Sequence, residues 1–209
     1  MRRWKRVLVL APLAALLLAG CTTVSKMESM GEKTEMSSPM SANFSVKIEV
    51  LDGSTTPIAP AAWAVYTGDN PLFKLNTATR IKGLEALAED GDPSGVARAL
   101  SGSMGVVASG VANTPGGSAI PGPALPGKAY SFSFTAKEGQ KLTFATMYVQ
   151  SNDLFFSPEE QGIDLFPGGK AVSGDITMHV SLYDDGTEKN EQPGAGPAWF
   201  GPQAQGFFT

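Results

Sequence analysis

The sequence predicts a mainly β domain, an antiparallel β-sandwich with a small helical insertion, over residues 43–200. Two observations predict this fold. Apolar and polar residues alternate in several short segments, as they do in strands with one buried face. Turn-forming residues separate these segments, and a single stretch with helical spacing interrupts them, which favours two packed sheets over an alternating α/β fold.

The first strands are predicted at residues 44–50 and 61–66. Phe44, Val46, Ile48 and Val50 occupy every second position, and Asp52-Gly53 ends the segment. The second segment carries Trp63 and is bounded by turn residues.

Residues 80–90 have the apolar spacing of a helix, and Gly91 is a natural stop. Residues 93–100 are predicted to form a second short helix with Pro93 in its first turn. Residues 102–127 hold seven Gly and four Pro. That density predicts a long surface loop without regular structure.

Strands are predicted again in the second half of the domain. Residues 130–135 alternate between aromatic and polar side chains, and Glu138-Gly139 forms a turn. Residues 142–149 are apolar on both faces, which places them centrally in a sheet. Residues 176–183 alternate once more and predict a further strand.

The first twenty residues have the three regions of a secretory signal: four basic residues, the apolar run 7–18, and Ala19-Gly20 before Cys21. The run of about twelve residues is too short to span roughly 30 Å of hydrocarbon as a helix. A cut before a cysteine resembles the bacterial lipobox, which implies lipidation of Cys21 and a cell-envelope location. Thr22 follows, rather than Asp, and this implies the outer membrane if the host is Gram-negative.

The charge of the chain excludes nucleic acid as an expected partner. The formal net charge is −4, and removal of the four basic residues in the signal would make it −8. An acidic surface repels phosphate backbones. Because Cys21 is the single cysteine, no disulfide can form within the chain, so packing or a metal must hold the fold.

Residues 21–42 read as a flexible tether because they are polar and lack a periodic apolar face. Four methionines of this segment fall within fourteen residues: Met27, Met30, Met36 and Met40. Thioethers suit Cu(I), so copper or oxidant scavenging is one alternative for the tether.

At the other end of the chain, residues 201–209 form a short tail. Trp199, Phe200, Phe207 and Phe208 lie in a region rich in Gly and Pro. They either cover the sandwich core or meet a partner.

Carboxylates cluster after two predicted strands, in residues 151–156 and 182–188. If these strands are neighbours, Asp153, Asp184 and Glu188 meet at one edge of the sandwich. Hard oxygen ligands in loops are what Ca²⁺ requires. The alternative is a pair of ordinary acidic turns, in which Asp and Gly are common for conformational reasons.

Several motifs in this order resemble the spondin N-terminal domain family, in its bacterial form, over roughly residues 43–200. They are Ala62-Trp63-Ala64-Val65, Pro71-Leu72-Phe73, residues 83–91, Phe144-Ala145-Thr146-Met147, Ser151-Asn152-Asp153-Leu154-Phe155 and Tyr183-Asp184-Asp185-Gly186-Thr187-Glu188. The animal members are extracellular matrix and adhesion proteins. The resemblance therefore implies a C2-like sandwich that works by binding a protein or glycan.

The same resemblance implies a calcium site at Asp153, Asp184 and Glu188. Two departures matter: Glu188 stands where the family has an aspartate, and Asn152 where it has a proline. The expected protein is a lipid-anchored adhesion or ligand-binding module that uses Ca²⁺.

The competing class is an envelope hydrolase that uses the acidic loops, since paired carboxylates can hydrolyse glycosides. His179, the single histidine, is predicted in mid-strand, on the face of Thr177 and Ser181. No Gly-x-Ser-x-Gly element accompanies it. The acids are expected in exposed turns, so we expect the protein not to be an enzyme.

Overall fold

The computed structural model describes residues 39–149 and 151–190, which lie within one compact unit of the chain, Ser38–Thr209. This part of the chain contains eight strands and two helices. In chain order they are β1 Ser41–Glu49, β2 Ala61–Tyr66, α1 Leu84–Asp90, α2 Ser94–Leu100, β3 Val106–Ala112, β4 Ala129–Lys137, β5 Lys141–Met147, β6 Leu154–Pro158, β7 Ile163–Asp164 and β8 Val180–Asp184. None of its helices has the length and apolar character needed to cross a membrane.

The strands form two antiparallel sheets, which confirms the predicted mainly β fold with a small helical insertion. Strands β1 and β4 pair along their full length, from Ser41 opposite Lys137 to Glu49 opposite Ala129. The second sheet has the order β3-β2-β5-β6-β8, and β7 pairs with the start of β5. Strand β5 is therefore internal, as the apolar run 142–149 predicts.

Aromatic side chains fill the space between the two sheets. The alternation in β4 buries Tyr130, Phe132 and Phe134 on one face. The Trp63 ring stacks on Phe132 with 4.8 Å between centroids and 10° between planes, and it lies 5.7 Å from Phe134. Offset aromatic pairs of this kind add about 0.5–1.5 kcal/mol beyond the area they bury.

The two helices cover the opposite face of the larger sheet. That face presents small residues, Ala62, Ala64 and Ala145, and the helices fill it with leucine and valine side chains: Leu84, Leu87, Val96 and Leu100. The helices approach each other closely, since a Cβ on Gly83 would lie 2.7 Å from the Gly95 backbone. Glycine is required at Gly83 because its φ is also +92°.

Helix α1 begins at Leu84, four residues later than the predicted start at residue 80. Arg80 instead pairs with Phe73 in an isolated antiparallel bridge, in which Lys74 N–H donates to Thr79 O at 3.0 Å and Ile81 N–H to Leu72 O at 2.7 Å. The left-handed Gly83 then turns the chain into the helix.

The prediction of a loop throughout residues 102–127 is wrong, because β3 lies within it and pairs with β2. The high glycine content of residues 102–127 led to the prediction of a loop. Gly110 is part of the strand, and it is glycine because a Cβ there would stand 2.8 Å from the Trp63 ring. It provides a close approach for the indole rather than a turn.

The predicted strand 176–183 is wrong at its start, and with it the mid-strand position of His179. Residues Thr177–His179 form a 3₁₀ turn, and β8 begins at Val180. The Asp175 carboxylate accepts the Thr177 N–H at 2.9 Å and starts the turn. His179 is consequently exposed.

Several sequence predictions lie outside the described residues: the signal 1–20, lipidation of Cys21, most of the tether 21–42 with its methionines to Met36, and the aromatic residues from Trp199 onward. They stay predictions.

Substitution of Gly110 by alanine should destabilise the sandwich. The added Cβ meets the rigid Trp63 ring, so we expect the free energy of unfolding to fall by about 1–3 kcal/mol, measured by urea denaturation. Gly122→Ala is the matched control, since a Cβ at Gly122 meets nothing within 4 Å. Equal stability of the two variants would show that Trp63 does not depend on this gap.

Candidate functional site

Asp153 is a fully buried carboxylate at the edge of the larger sheet, with 0% exposure. Its Oδ2 accepts the backbone N–H groups of Thr187 and Glu188, each at 3.2 Å. Its Oδ1 is buried and has no hydrogen-bond partner among the described residues. Because a buried polar atom without a partner is costly, this oxygen is suited to a cation or an ordered water.

A tight connection between β5 and β6 positions Asp153. The Ser151 hydroxyl donates to the Tyr148 carbonyl at 2.6 Å and accepts the Leu154 N–H at 3.1 Å. The loop after β8 is tied to it, since Asn152 Nδ2 donates to the Lys189 carbonyl at 2.8 Å and Asp185 N–H to the Asp153 carbonyl at 3.1 Å. These bonds hold the two acidic loops together.

Asp185 is the second buried carboxylate, with a side chain only 3% exposed. The Arg80 Nε lies 3.4 Å from its Oδ2, and Arg80 Nη1 donates to its backbone carbonyl at 3.3 Å. Burial raises the pKa of Asp185 to about 6, and the negative charges of Asp153, Glu85 and Glu89 act in the same direction against Arg80. Asp185 therefore gains a proton as the pH falls through about 6.

Helix α1 adds two carboxylates, Glu85 and Glu89. Glu89 Oε1 accepts the Thr187 hydroxyl at 2.7 Å, which joins the helix to the loop after β8. Burial raises the pKa of Glu89, and the neighbouring charges of Glu85 and Glu188 raise it further, while the Thr187 hydrogen bond opposes them. We call Glu85, Glu89, Asp153, Asp185 and Glu188 the acidic cluster.

Of the three predicted metal ligands, Asp153 and Glu188 are in contact only through the Glu188 backbone, and Glu188 is itself exposed. Asp184 is exposed, and its carboxylate accepts Gly186 N–H at 2.7 Å and Asn190 Nδ2 at 2.6 Å. Asp185 lies beside Asp153 instead.

Sequence reasoning did not identify Asp185, Glu85 or Glu89 as site residues. The spacing of Glu85 and Glu89, four apart on a predicted helix, already placed both on one helical face. The packing of α1 beside the loop after β8 could not be predicted from the sequence.

The acidic cluster supplies the oxygen donors that Ca²⁺ prefers. In residues 39–149 and 151–190, however, no three His, Cys, Asp or Glu side chains are arranged as they stand to hold a metal ion. The donor types therefore fit Ca²⁺, while binding would require carboxylates of the cluster to turn toward Asp153 Oδ1.

Two clefts lie elsewhere on the described surface. One, of about 480 Å³, opens between the two sheets and is largely apolar. The other, of about 550 Å³, is lined by polar residues that include Asp69, Lys74 and Arg80. Neither lining includes a residue of the acidic cluster, so the cluster is not the base of either cleft.

Fold and cluster together define a two-sheet β protein with a partly buried group of carboxylates at one sheet edge. Comparison of the chain with models of protein families, with curated proteins and with solved structures finds no match. The resemblance to the spondin N-terminal domain stays a prediction.

The raised pKa of Asp185 predicts a pH dependence of stability. Between about pH 4 and pH 6, folded Asp185 keeps a proton that the unfolded chain has released, so the free energy of unfolding falls as pH rises. Glu89 acts in the same direction. Asp185→Asn should reduce this slope, as measured by urea denaturation across the window.

Asp175→Asn is the matched control for this experiment. Hydrogen bonds from Thr177 lower the pKa of Asp175, so its contribution changes below about pH 4. An Asp185→Asn variant with the same slope as the Asp175→Asn variant would contradict the assignment.

Proposed function

We propose that this protein is a lipid-anchored binding module of the bacterial cell envelope, of the spondin type, and that its acidic cluster binds Ca²⁺. The observation that carries the proposal is the buried Asp153 Oδ1, which lacks a partner among the described residues, while the charge of Asp153 acts on the neighbouring Asp185 carboxyl. Support also comes from the two-sheet fold that the resemblance implies.

The electrostatics of the cluster favour a divalent cation. Like charges close together disfavour ionisation, which accounts for part of the raised pKa values of Asp185 and Glu89. Burial is the largest cause of the raised pKa of Asp185, and Arg80 opposes it. A Ca²⁺ ion would stabilise the ionised carboxylates, with Asp153 Oδ1, Asp185 and Glu188 as candidate ligands and water or backbone carbonyls completing six to eight oxygens.

A Ca²⁺ ion at this position would favour binding of a protein or glycan ligand because it would order the loops around it. The cluster joins three separate segments: the β5–β6 connection, the loop after β8, and helix α1. A common ion would fix their relative positions and present one rigid edge to a protein or glycan ligand. The adhesion proteins that the chain resembles work by such recognition, so a binding role follows more directly than catalysis.

Anchoring is proposed through lipid on Cys21, with outer-membrane delivery in a Gram-negative host. Residues 22–38 then separate the lipid from the described domain. The acidic character of the chain without its signal disfavours contact with an anionic membrane and favours an outward-facing domain.

One observation favours the alternative, an envelope hydrolase. An acid with a pKa of about 6, such as Asp185, is suited to general acid catalysis near neutral pH. The hydrolase would require a substrate to reach this buried side chain. Turnover of envelope glycans by the purified protein, lost in Asp185→Asn, would favour the enzyme over the binding module.

Millimolar Ca²⁺ should raise the melting temperature of the protein at neutral pH, by about 5 °C or more when the ion is at 100 times its Kd. The shift should disappear in Asp153→Asn. It should persist in Asp69→Asn, which alters the polar cleft that lies apart from the acidic cluster. Asp184→Ala tests whether that exposed carboxylate is also a ligand. An unchanged melting curve in Ca²⁺ would contradict the calcium proposal.

The same measurement near pH 5 separates ligation from general ionic stabilisation. Asp185 is then largely protonated because its pKa is about 6, so the Ca²⁺-induced shift should shrink. A shift that is as large near pH 5 as at neutral pH would place the ion away from Asp185.

Cys21→Ser should move the protein from the membrane fraction or leave its precursor uncut, because the substituted chain has no thiol to acylate. Fractionation and mass measurement of the intact protein would show this. Metabolic labelling with a fatty acid should mark the natural chain and leave the Cys21→Ser variant unlabelled. Labelling of both would place the lipid elsewhere.

A further inference from the structure

The smaller sheet has an open edge at β1. In the part of the chain that the structure describes, β1 pairs with β4 alone, in one unbroken register of nine residues. The strand contains no Gly or Pro, and no bulge interrupts it. A regular edge strand of this length is a template on which another extended chain can pair.

The bonds to β4 determine which backbone groups of β1 lie at this edge. At one end, Val50 N–H donates to the Lys128 carbonyl at 3.0 Å. At the other end, the Met40 carbonyl accepts Glu138 N–H at 2.9 Å. In an antiparallel ladder, residues that bond to the partner strand alternate with residues that do not. Since positions 40 and 50 bond to β4, the odd-numbered residues of β1 direct their N–H and C=O groups away from it.

Two of these odd-numbered residues, Lys47 and Glu49, also line the apolar cleft between the sheets, whose volume is about 480 Å³. We call it the intersheet cleft. Ile48, between them, packs against the core. The cleft thus combines an apolar interior with backbone donors and acceptors along one wall. An acyl chain could fill the interior but could not pair with these backbone groups, whereas an extended peptide does both.

The larger sheet forms a floor that continues beyond β1. The stacking of Trp63 on Phe132 places β4 over β2, and the strand order runs on from β2 through β5 and β6 to β8. Phe144 of β5, Phe156 of β6 and Val180 of β8 all line the cleft. Because neighbouring strands lie about 4.8 Å apart, the floor leaves room for one strand beside β1.

The same floor disfavours a second copy of the chain at this edge. Antiparallel pairing of β1 with its own copy relates the two sandwiches by a twofold axis, and the inward faces of both β1 strands then lie on one side. The β6 and β8 strands of the two copies would compete for the same space. The occupant that fits is a peptide without a second sheet behind it.

The charges along the edge specify the sequence of such a peptide. Lys47 Nζ lies 2.7 Å from Glu49 Oε2, and the two side chains are 58% and 41% exposed. Opposite charges stabilise residues that face each other on neighbouring strands. An antiparallel peptide therefore has a basic residue opposite Glu49 and, two positions later, an acidic residue opposite Lys47. The positions between and beside them are apolar, because they face the cleft.

We propose that β1 accepts an extended peptide of a partner protein as an added antiparallel strand, with alternate apolar side chains of the peptide in the intersheet cleft. The peptide backbone pairs with the N–H and C=O groups of Lys47 and Glu49, and its charged side chains lie beside theirs at the surface. The cleft lining contains no residue of the acidic cluster, so peptide binding does not depend on the proposed Ca²⁺ site.

Fluorescence anisotropy of a labelled synthetic peptide tests the proposal on the purified full chain. The peptide Thr-Val-Lys-Val-Glu-Val-Thr, with blocked ends, should bind saturably and with the same Kd in Ca²⁺ and in EDTA. The matched control Thr-Val-Glu-Val-Lys-Val-Thr has the same composition but places like charges opposite Lys47 and Glu49. It should bind about tenfold more weakly. In the variant Lys47→Glu with Glu49→Lys, the preference between the two peptides should reverse.

N-methylation of the peptide separates strand pairing from apolar contact. Methyl groups on the backbone nitrogens of its Lys and Glu remove two N–H groups that donate to β1, so binding should weaken by at least about thirtyfold. Methyl groups on the nitrogens of its first two Val residues, which face away from β1, should leave the Kd nearly unchanged.

Four outcomes would overturn the proposal. Absence of saturable binding would show that the edge is closed to a partner in the full chain. Equal affinity for the two peptides, or a preference of the unsubstituted chain for the control, would contradict antiparallel pairing at Lys47 and Glu49. Equal loss with both methylation patterns would exclude an added strand. A dimer in sedimentation that Lys47→Glu dissociates would assign the edge to a second copy of the chain.

Discussion

The packing of the Trp63 indole is the interaction on which the rest of the described fold depends. The ring lies between the sheets, stacked on Phe132, and the absence of a Cβ at Gly110 gives it room beneath β3. It thus links β2 to β4 across the core and to β3 within the sheet. Truncation of a buried Trp costs about 3–5 kcal/mol, a large part of a typical net stability of about 5–15 kcal/mol.

The position of the acidic cluster follows from this core by way of the sheet order. Strand β2 pairs with β5 from Ala62 to Tyr66, and the end of β5 leads directly into the connection that carries Asp153. Strand β8 joins the sheet through β6, which brings the loop after β8 to the same edge. Helix α1 packs on the face of β2 and β5 that bears Ala62, Ala64 and Ala145, and this places Glu89 within reach of Thr187. Three segments distant in sequence therefore supply one group of carboxylates.

The sequence predicted most of the strands because their alternation is a local property. It failed at two places, one determined by a distant contact and the other by a local turn. Gly110 reads as a loop residue, yet it lies in β3 because of Trp63. The start of β8 was predicted too early, because a local hydrogen bond from Thr177 N–H to Asp175 turns the chain before Val180. For the candidate site, Asp153 and Glu188 stay predicted ligands, whereas the proximity of Glu89 to the loop after β8 depends on helix packing that no local pattern encodes.

The alternation of β8 explains why Asp185 lies beside Asp153 and Asp184 does not. Successive side chains of a strand point to opposite faces. Val180 packs against the intersheet core, and Leu182 and Asp184 share its side of the strand, while Tyr183 packs toward α1 in the other core. Asp185 follows the parity of Tyr183 and is buried near Arg80 and Glu89. The register Leu154 opposite Asp184 fixes this assignment, and a slip of one residue would exchange the two faces. The same period therefore places the exposed Leu182 on the opposite side of the chain from Asp185.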